Sequence, residues 1–90
     1  MEKYRYKSGM LKIVDEMSEL LKDENIGTDN DRALLLNNRA SCEGLLNSNY
    51  KKAIELEKKA ISTCIPEENI ILAANLHMNL GYLYQYSKDF

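Results

Sequence analysis

The sequence predicts an all-α fold. Its 90 residues contain a single proline and only four glycines, and no alternating apolar pattern is bounded by tight-turn dipeptides, as strands would require. Apolar residues instead recur at spacings of three and four, the pattern of one helix face. In addition, Asn79-Leu80-Gly81 near the C-terminus echoes Asn38-Arg39-Ala40. Similarity at a fixed period of about 40 residues indicates repeated helical units.

Composition limits the function classes. The chain is 44% hydrophobic and 29% charged, an ordinary balance for one small globular domain spanning residues 1–90. A net charge of -2 and a sequence pI near 5.4 argue against nucleic acid as a partner, because phosphate binding needs a basic face. No apolar run approaches the roughly 18 residues of a membrane span, and the N-terminus lacks a signal-peptide core. We therefore expect a cytoplasmic setting and no membrane partner.

The first predicted helix covers residues 3–23, within an N-terminal unit of residues 1–25. Its apolar positions form one stripe: Met10, Ile13, Val14, Met17, Leu20 and Leu21. A polar loop over residues 23–28 follows. Gly27 in this loop is suited to a turn with positive φ.

The second and third predicted helices form an antiparallel pair within residues 30–64, turning near Ser48. Short polar side chains around Asp29 and Asn49 are suited to capping their first amides. In this pair Cys42 and Cys64 are separated by roughly 15 Å along the helix axes, because each residue rises about 1.5 Å. That separation exceeds what a disulfide spans, so both cysteines are predicted to be free, buried thiols.

A fourth helix is predicted from Pro66 to about residue 86, within a unit of residues 66–90. Proline fits the first turn of a helix, and Glu67 and Glu68 complement the positive end of its dipole. The apolar residues of this helix occupy more than one stripe. The helix is therefore expected to have neighbours on several sides.

Residues 33–90 resemble the tetratricopeptide repeat (TPR) family. In the first copy, Ala40 matches the small residue of a first helix, Tyr50 the aromatic before a second helix, and Ala53 and Ala60 its alanines seven apart. A second copy matches in its first helix: Asn79, Leu80, Gly81, Tyr84 and Phe90. The resemblance implies stacked antiparallel hairpins in a right-handed superhelix of about four helices. Small residues let paired helices approach closely.

The resemblance is incomplete. The repeat is about 40 residues long, whereas about 34 is usual, and Glu43 or Gly44 stands where a tyrosine is common. The chain stops at Phe90, where a second helix would begin. Since three repeats are the usual minimum for stable stacking, about one and a half repeats indicate a fragment of a larger TPR protein or a short domain that self-associates.

In the family, first helices line a concave groove for a peptide or a partner helix. Carrying this over position by position gives a candidate partner-binding set: Asn37, Ser41, Asn75, Met78, Tyr82, Gln85 and Tyr86. Leu34 and Leu45 are expected to flank it. Tyrosine and methionine are effective anchors in adaptable binding surfaces. The opposing interpretation is that Met78 and Tyr82 simply pack against the N-terminal helix.

Other interpretations have less support. Asn38-Arg39-Ala40 resembles the carboxylate clamp of chaperone-binding members, but no lysine or arginine follows between Ile70 and Tyr86, so the clamp is not expected. No phosphate loop and no metal-ligand spacing appears, and His77 is not spaced to pair with Cys42. We therefore expect no catalytic residue, no cofactor and no metal. Two functions remain: a protein-interaction scaffold, or an oligomeric, self-associating segment of a larger bacterial sensor or transcriptional regulator, whose repeats the sequence also resembles.

Overall fold

The computed structural model describes residues 12–23 and 26–88. This part of the chain is all-α: α1 is helical over residues 12–20, α2 spans Asp29–Asn47, α3 spans Tyr50–Thr63 and α4 spans Ile70–Lys88. The helices pack in sequence, with α2 against α3 and α3 against α4. The predicted fold class is confirmed at this level. Residues 3–11 of the first predicted helix and the aromatic Phe90 lie outside the described residues.

The loop before α2 is fixed by a glycine and a capping box. Gly27 has φ +81°, the left-handed conformation predicted for it. Thr28 Oγ1 accepts a hydrogen bond from the Asp31 amide at 3.1 Å, and the Thr28 amide donates to Asp31 Oδ2 at 2.8 Å. These reciprocal bonds satisfy two backbone donors at the start of α2. Arg32 adds bonds to the carbonyls of Asp23 and Ile26.

The turn between α2 and α3 is as predicted. Ser48 ends α2 in the left-handed conformation, with φ 52°, and the Asn49 amide donates back to the Glu43 carbonyl at 2.9 Å. Asn49 then caps α3, because its Oδ1 accepts from the Lys52 amide at 3.3 Å. The chain therefore reverses within two residues, which sets α2 and α3 antiparallel.

The start of α4 differs from the prediction. Residues 66–68 form a separate turn, closed by a bond from the Glu68 amide to the Ile65 carbonyl. The helix begins at Ile70, and Asn69 Oδ1 accepts from the Leu72 amide at 3.0 Å. The Asn69 side chain accepts a hydrogen bond from a backbone amide in the first turn of the helix. Pro66 has no side-chain acceptor and cannot cap the helix in this way. Pro66, Glu67 and Glu68 consequently precede the helix and do not form its first turn.

Within the described residues, two apolar clusters make up the core. One joins α2, α3 and α4 through Ala33, Ala60, Cys64, Ala73 and Leu76. The other joins α1 to α2 through Val14, Leu35 and Cys42. Both cysteines are buried and free, as the axial offset predicted.

Small residues mark the closest helix approaches. Ala40, Ala53 and Ala60 are completely buried, and a Cβ added at Gly44 would lie 3.1 Å from Leu83 Cδ2 of α4. Gly81 differs, since a Cβ there would meet nothing within 4 Å. The matching positions of the two sequence copies, Ala40 and Gly81, therefore have different surroundings. None of the helices in the described ranges is long and apolar enough to cross a membrane.

Candidate functional site: a groove between α2 and α4

A groove of about 430 Å³ lies between α2 and α4, with α3 behind it. We call it the α2/α4 groove. Helix α2 contributes small or apolar side chains, α3 contributes a tyrosine and a glutamate, and α4 contributes aromatic and amide groups. Its lining consists of Ser41, Gly44, Leu45, Ser48, Tyr50, Glu57, Asn79, Tyr82, Leu83 and Tyr86.

A second, smaller depression of about 260 Å³ shows how the two helices run. It lies where α2 and α4 begin, and Asn30, Leu34, Ile71 and Asn75 are among its lining residues. The α2/α4 groove, by contrast, reaches Ser48 and Tyr86 at the other ends of the same helices. Because the N-terminal ends of α2 and α4 lie beside each other and their C-terminal ends do too, the two helices run in the same direction.

The floor of the groove holds a buried carboxyl group. Glu57 on α3 is only 1% exposed, and among the described residues no other charged side chain is buried. One side-chain amide atom of Asn37 lies 2.8 Å from Glu57 Oε1 and 3.1 Å from Oε2. The same atom lies 2.9 Å from Asn79 Nδ2. A single polar cluster therefore joins α2, α3 and α4 at the floor.

The protonation state of Glu57 determines which groups of this cluster donate hydrogen bonds and which accept them. When the carboxyl is neutral, its O–H donates to Asn37 Oδ1, which also accepts from Asn79 Nδ2. When it is ionised, Asn37 must present Nδ2 to the carboxylate, and the Asn79 amide must turn as well so that its Oδ1 accepts from that nitrogen. Burial raises the pKa of Glu57 from 4.5 to about 7, because desolvation disfavours the charged form. Both states are therefore populated near neutral pH.

Aromatic side chains form the walls. The rings of Tyr50 and Tyr86 lie with centroids 6.4 Å apart, within the range of favourable aromatic pairs. Tyr82 is 50% exposed and Leu45 is 68% exposed. These side chains already border the groove and still leave much of their surface in solvent, so an occupant would bury apolar area there.

The residues of the candidate partner-binding set fall into different places. Ser41, Tyr82 and Tyr86 line the α2/α4 groove, and Asn37 contacts Glu57 at its floor. Asn75 lines the smaller depression. The remaining two, Met78 and Gln85, are exposed but line neither concavity.

Sequence reasoning missed Glu57. A glutamate is rarely buried without a partner, so the residue type alone predicts an exposed position. Glu57, however, lies four residues after Ala53 and three before Ala60. That spacing places it on the same face as two residues that were expected to be buried, and this was the available signal.

The described residues offer little to a catalytic interpretation. Among them, no three His, Cys, Asp or Glu side chains are close enough together to hold a metal ion. Burial, followed by the charges of Glu43 and Asp15, raises the pKa of Cys42, so its thiol is a poor nucleophile at neutral pH. His77 is exposed on α4 and lines none of the concavities described above.

Comparison with known proteins adds no closer assignment. No family model, no characterised protein and no solved structure matches the chain at a significant level. What the structure establishes is therefore a four-helix, all-α arrangement with sequential packing, carrying one groove with an aromatic wall and an acidic floor.

Proposed function

We propose that the chain is a protein–protein interaction module that binds a peptide or partner helix in the α2/α4 groove. The observation that carries this proposal is the groove itself: about 430 Å³, open to solvent, and lined by half-exposed aromatic and leucine side chains. Such anchors give large contact area for little conformational entropy. The polar cluster at the floor adds groups that fix the orientation of an occupant.

The proposal includes a TPR-like stacking of the helices. It is supported by the antiparallel α2–α3 hairpin, by the common direction of α2 and α4, and by the burial of Ala40, Ala53 and Ala60. In this arrangement α2 and α4 are successive first helices, and the groove lies on the surface where members of that family receive their partners.

A peptide selection tests the proposal. A random library of about twelve residues displayed on phage is selected against the whole chain, and the winners are titrated by isothermal calorimetry. We expect Tyr82→Ala to weaken binding about tenfold or more, as for an aromatic anchor. Tyr84→Ala is the matched control, because Tyr84 is 40% exposed but lies outside the groove, with Lys58 Nζ 5.6 Å from its ring centroid.

Two results would count against the proposal. The first is a selection that yields no peptide competing for the groove. The second is an equal loss of affinity in the Tyr82 and Tyr84 variants, since this would place the contact elsewhere on α4.

A second candidate function is self-association, as a structural or regulatory segment of a larger bacterial sensor or transcriptional regulator. It is favoured by apolar side chains of α4 that remain in solvent, since Ile70, Ile71 and Met78 are all more than half exposed. No Asp, Glu, Lys or Arg occurs from Ile70 through Ser87. Sedimentation equilibrium distinguishes the candidates: a dimer that Ile71→Asp dissociates supports self-association, and a monomer at all concentrations rejects it.

A further inference from the structure

The chemistry of the groove floor narrows the class of partner. Glu57 is a carboxyl group at the base of a concavity, and the other described residues that line it include no lysine, arginine or histidine. The ion pairs within residues 12–23 and 26–88 join Lys22 to Glu19 and Lys52 to Glu43. Glu57 takes part in neither. Among the described residues, therefore, no cation matches the charge of the acid at the floor.

The carboxylate also retains hydrogen-bonding capacity. An ionised carboxylate offers about four acceptor positions, and Asn37 engages each oxygen of Glu57 once, at 2.8 and 3.1 Å. One further hydrogen-bond donor to each oxygen would fill the remaining acceptor positions of the carboxylate. A cation that donates two parallel hydrogen bonds, such as a guanidinium, has this geometry.

The walls suit the same kind of ligand. The rings of Tyr50, Tyr82 and Tyr86 border the groove, and the negative face of an aromatic ring attracts ammonium and guanidinium groups. Leu45 and Leu83 provide apolar surface against which the methylene stem of a long basic side chain can pack. An anionic group, by contrast, would meet an acid and no basic partner at the floor.

We propose that the α2/α4 groove recognises a basic side chain of its partner peptide, an arginine or a lysine, which reaches Glu57 between the tyrosines. This inference rests on the proposed function and specifies its ligand. Binding of the cation favours the ionised carboxylate, so affinity increases as the pH rises through about 7, the pKa of Glu57. The titratable groups facing Glu57 across the groove are the phenols of Tyr50, Tyr82 and Tyr86, and α2 contributes none.

Small probes test the inference directly. The whole chain is titrated with n-butylguanidinium, n-butylammonium and the neutral n-butylurea, while NMR follows the rings of Tyr82 and Tyr86. We expect saturable shifts with the two cations and none with the urea. The relative size of the two cation affinities distinguishes an arginine site from a lysine site.

A charge-neutral variant identifies the acid responsible. Glu57→Gln keeps the shape of the side chain and removes its negative charge, and it should weaken cation binding about tenfold or more. Glu55→Gln makes the same change in net charge on the exposed face of α3 and should leave binding unchanged. Equal shifts with n-butylurea, no saturable shift with either cation, or an unaltered Glu57 variant would each overturn the inference.

The library selection separates this inference from the function on which it rests. Peptides that compete for the groove and are enriched in arginine or lysine support both. Groove-binding peptides that contain no basic residue would support the interaction module and would reject a cation as its ligand. A selection without groove-binding peptides rejects the interaction module, while the small-probe titration still decides whether the groove binds cations.

Discussion

At the floor of the α2/α4 groove, the domain buries a polar side chain. Glu57 is 1% exposed, and its hydrogen-bonded neighbour Asn37 connects it to Asn79 on α4. An apolar residue in place of Glu57 would pack there without the desolvation cost of an ionisable group. The domain instead keeps an ionisable group at its helix junction, which makes its stability depend on pH.

The stability of the domain is predicted to fall as pH rises from about 4.5 to about 7. Because the pKa of Glu57 is raised in the folded state, the folded chain holds this proton more tightly than the unfolded chain. The resulting stabilisation is complete below pH 4.5 and is lost as the pH passes through 7, a change of about 3 kcal/mol. Glu57→Gln should remove this component in urea unfolding measured at several pH values.

The matched control is Glu55→Gln. Glu55 is exposed on the same helix, so its variant should retain the pH dependence of the parent chain. If the Glu57 and Glu55 variants gave the same unfolding curves from acid to alkaline pH, the proposed coupling of Glu57 to stability would be wrong.

At the scale of the helices, most of the structure was predictable because local signals agree. Gly27, Ser48 and Asn49 occur where turns and caps require such residues, so the bounds of α2 and α3 followed closely from the sequence. The start of α4 did not, because Pro66 and Asn69 both carry start signals and only the structure shows that the side-chain cap at Asn69 prevails. Where such local signals compete, the sequence defines the start of a helix only to within a few residues.

Two helix glycines are predicted to respond differently to alanine. Gly81→Ala should stabilise the domain by about 0.5 to 1 kcal/mol, because alanine has the higher helix propensity and nothing lies within 4 Å of the new Cβ. Gly44→Ala should gain less or destabilise, because its Cβ would lie 3.1 Å from Leu83 Cδ2. Thermal unfolding of the two variants measures the difference, and equal midpoints would contradict the close approach of α2 and α4.

At the scale of the whole molecule, the core is divided. Helix α2 contributes to both apolar clusters, one shared with α1 and one shared with α3 and α4. Helical periodicity predicted some of the buried residues, such as Val14, but Ile13 and Leu20 of the same predicted stripe are 56% and 62% exposed. Periodicity does not state which helix covers which face. The groove was located only in part for the same reason: Ser41, Tyr82 and Tyr86 line it, whereas Met78 and Gln85 do not.

The two cysteines should report separately on these clusters. Counted over the described residues, Cys42 belongs to the smaller α1–α2 cluster and Cys64 to the larger one containing the fully buried Leu76. Since local opening exposes the less extensively packed part first, iodoacetamide should label Cys42 faster than Cys64 in the native chain. Peptide mass spectrometry measures both rates. The labelling rates in urea serve as the control, where the two thiols should react alike.

The contact between Asn30 and Ile65 holds α2 to the loop before α4, at the end opposite the aromatic part of the groove. Asn30 Oδ1 accepts from the Ile65 amide at 2.8 Å, and its Nδ2 donates to the Ile65 carbonyl at 3.4 Å, so the side chain ties the start of α2 to the loop before α4. At about 1.5 Å per residue, Tyr86 lies roughly 24 Å from the start of α4. A rotation of about 5° at the tied end therefore moves Tyr86 by about 2 Å. The aromatic end of the groove lies furthest from this tie, and we expect it to adjust most to the size of an occupant.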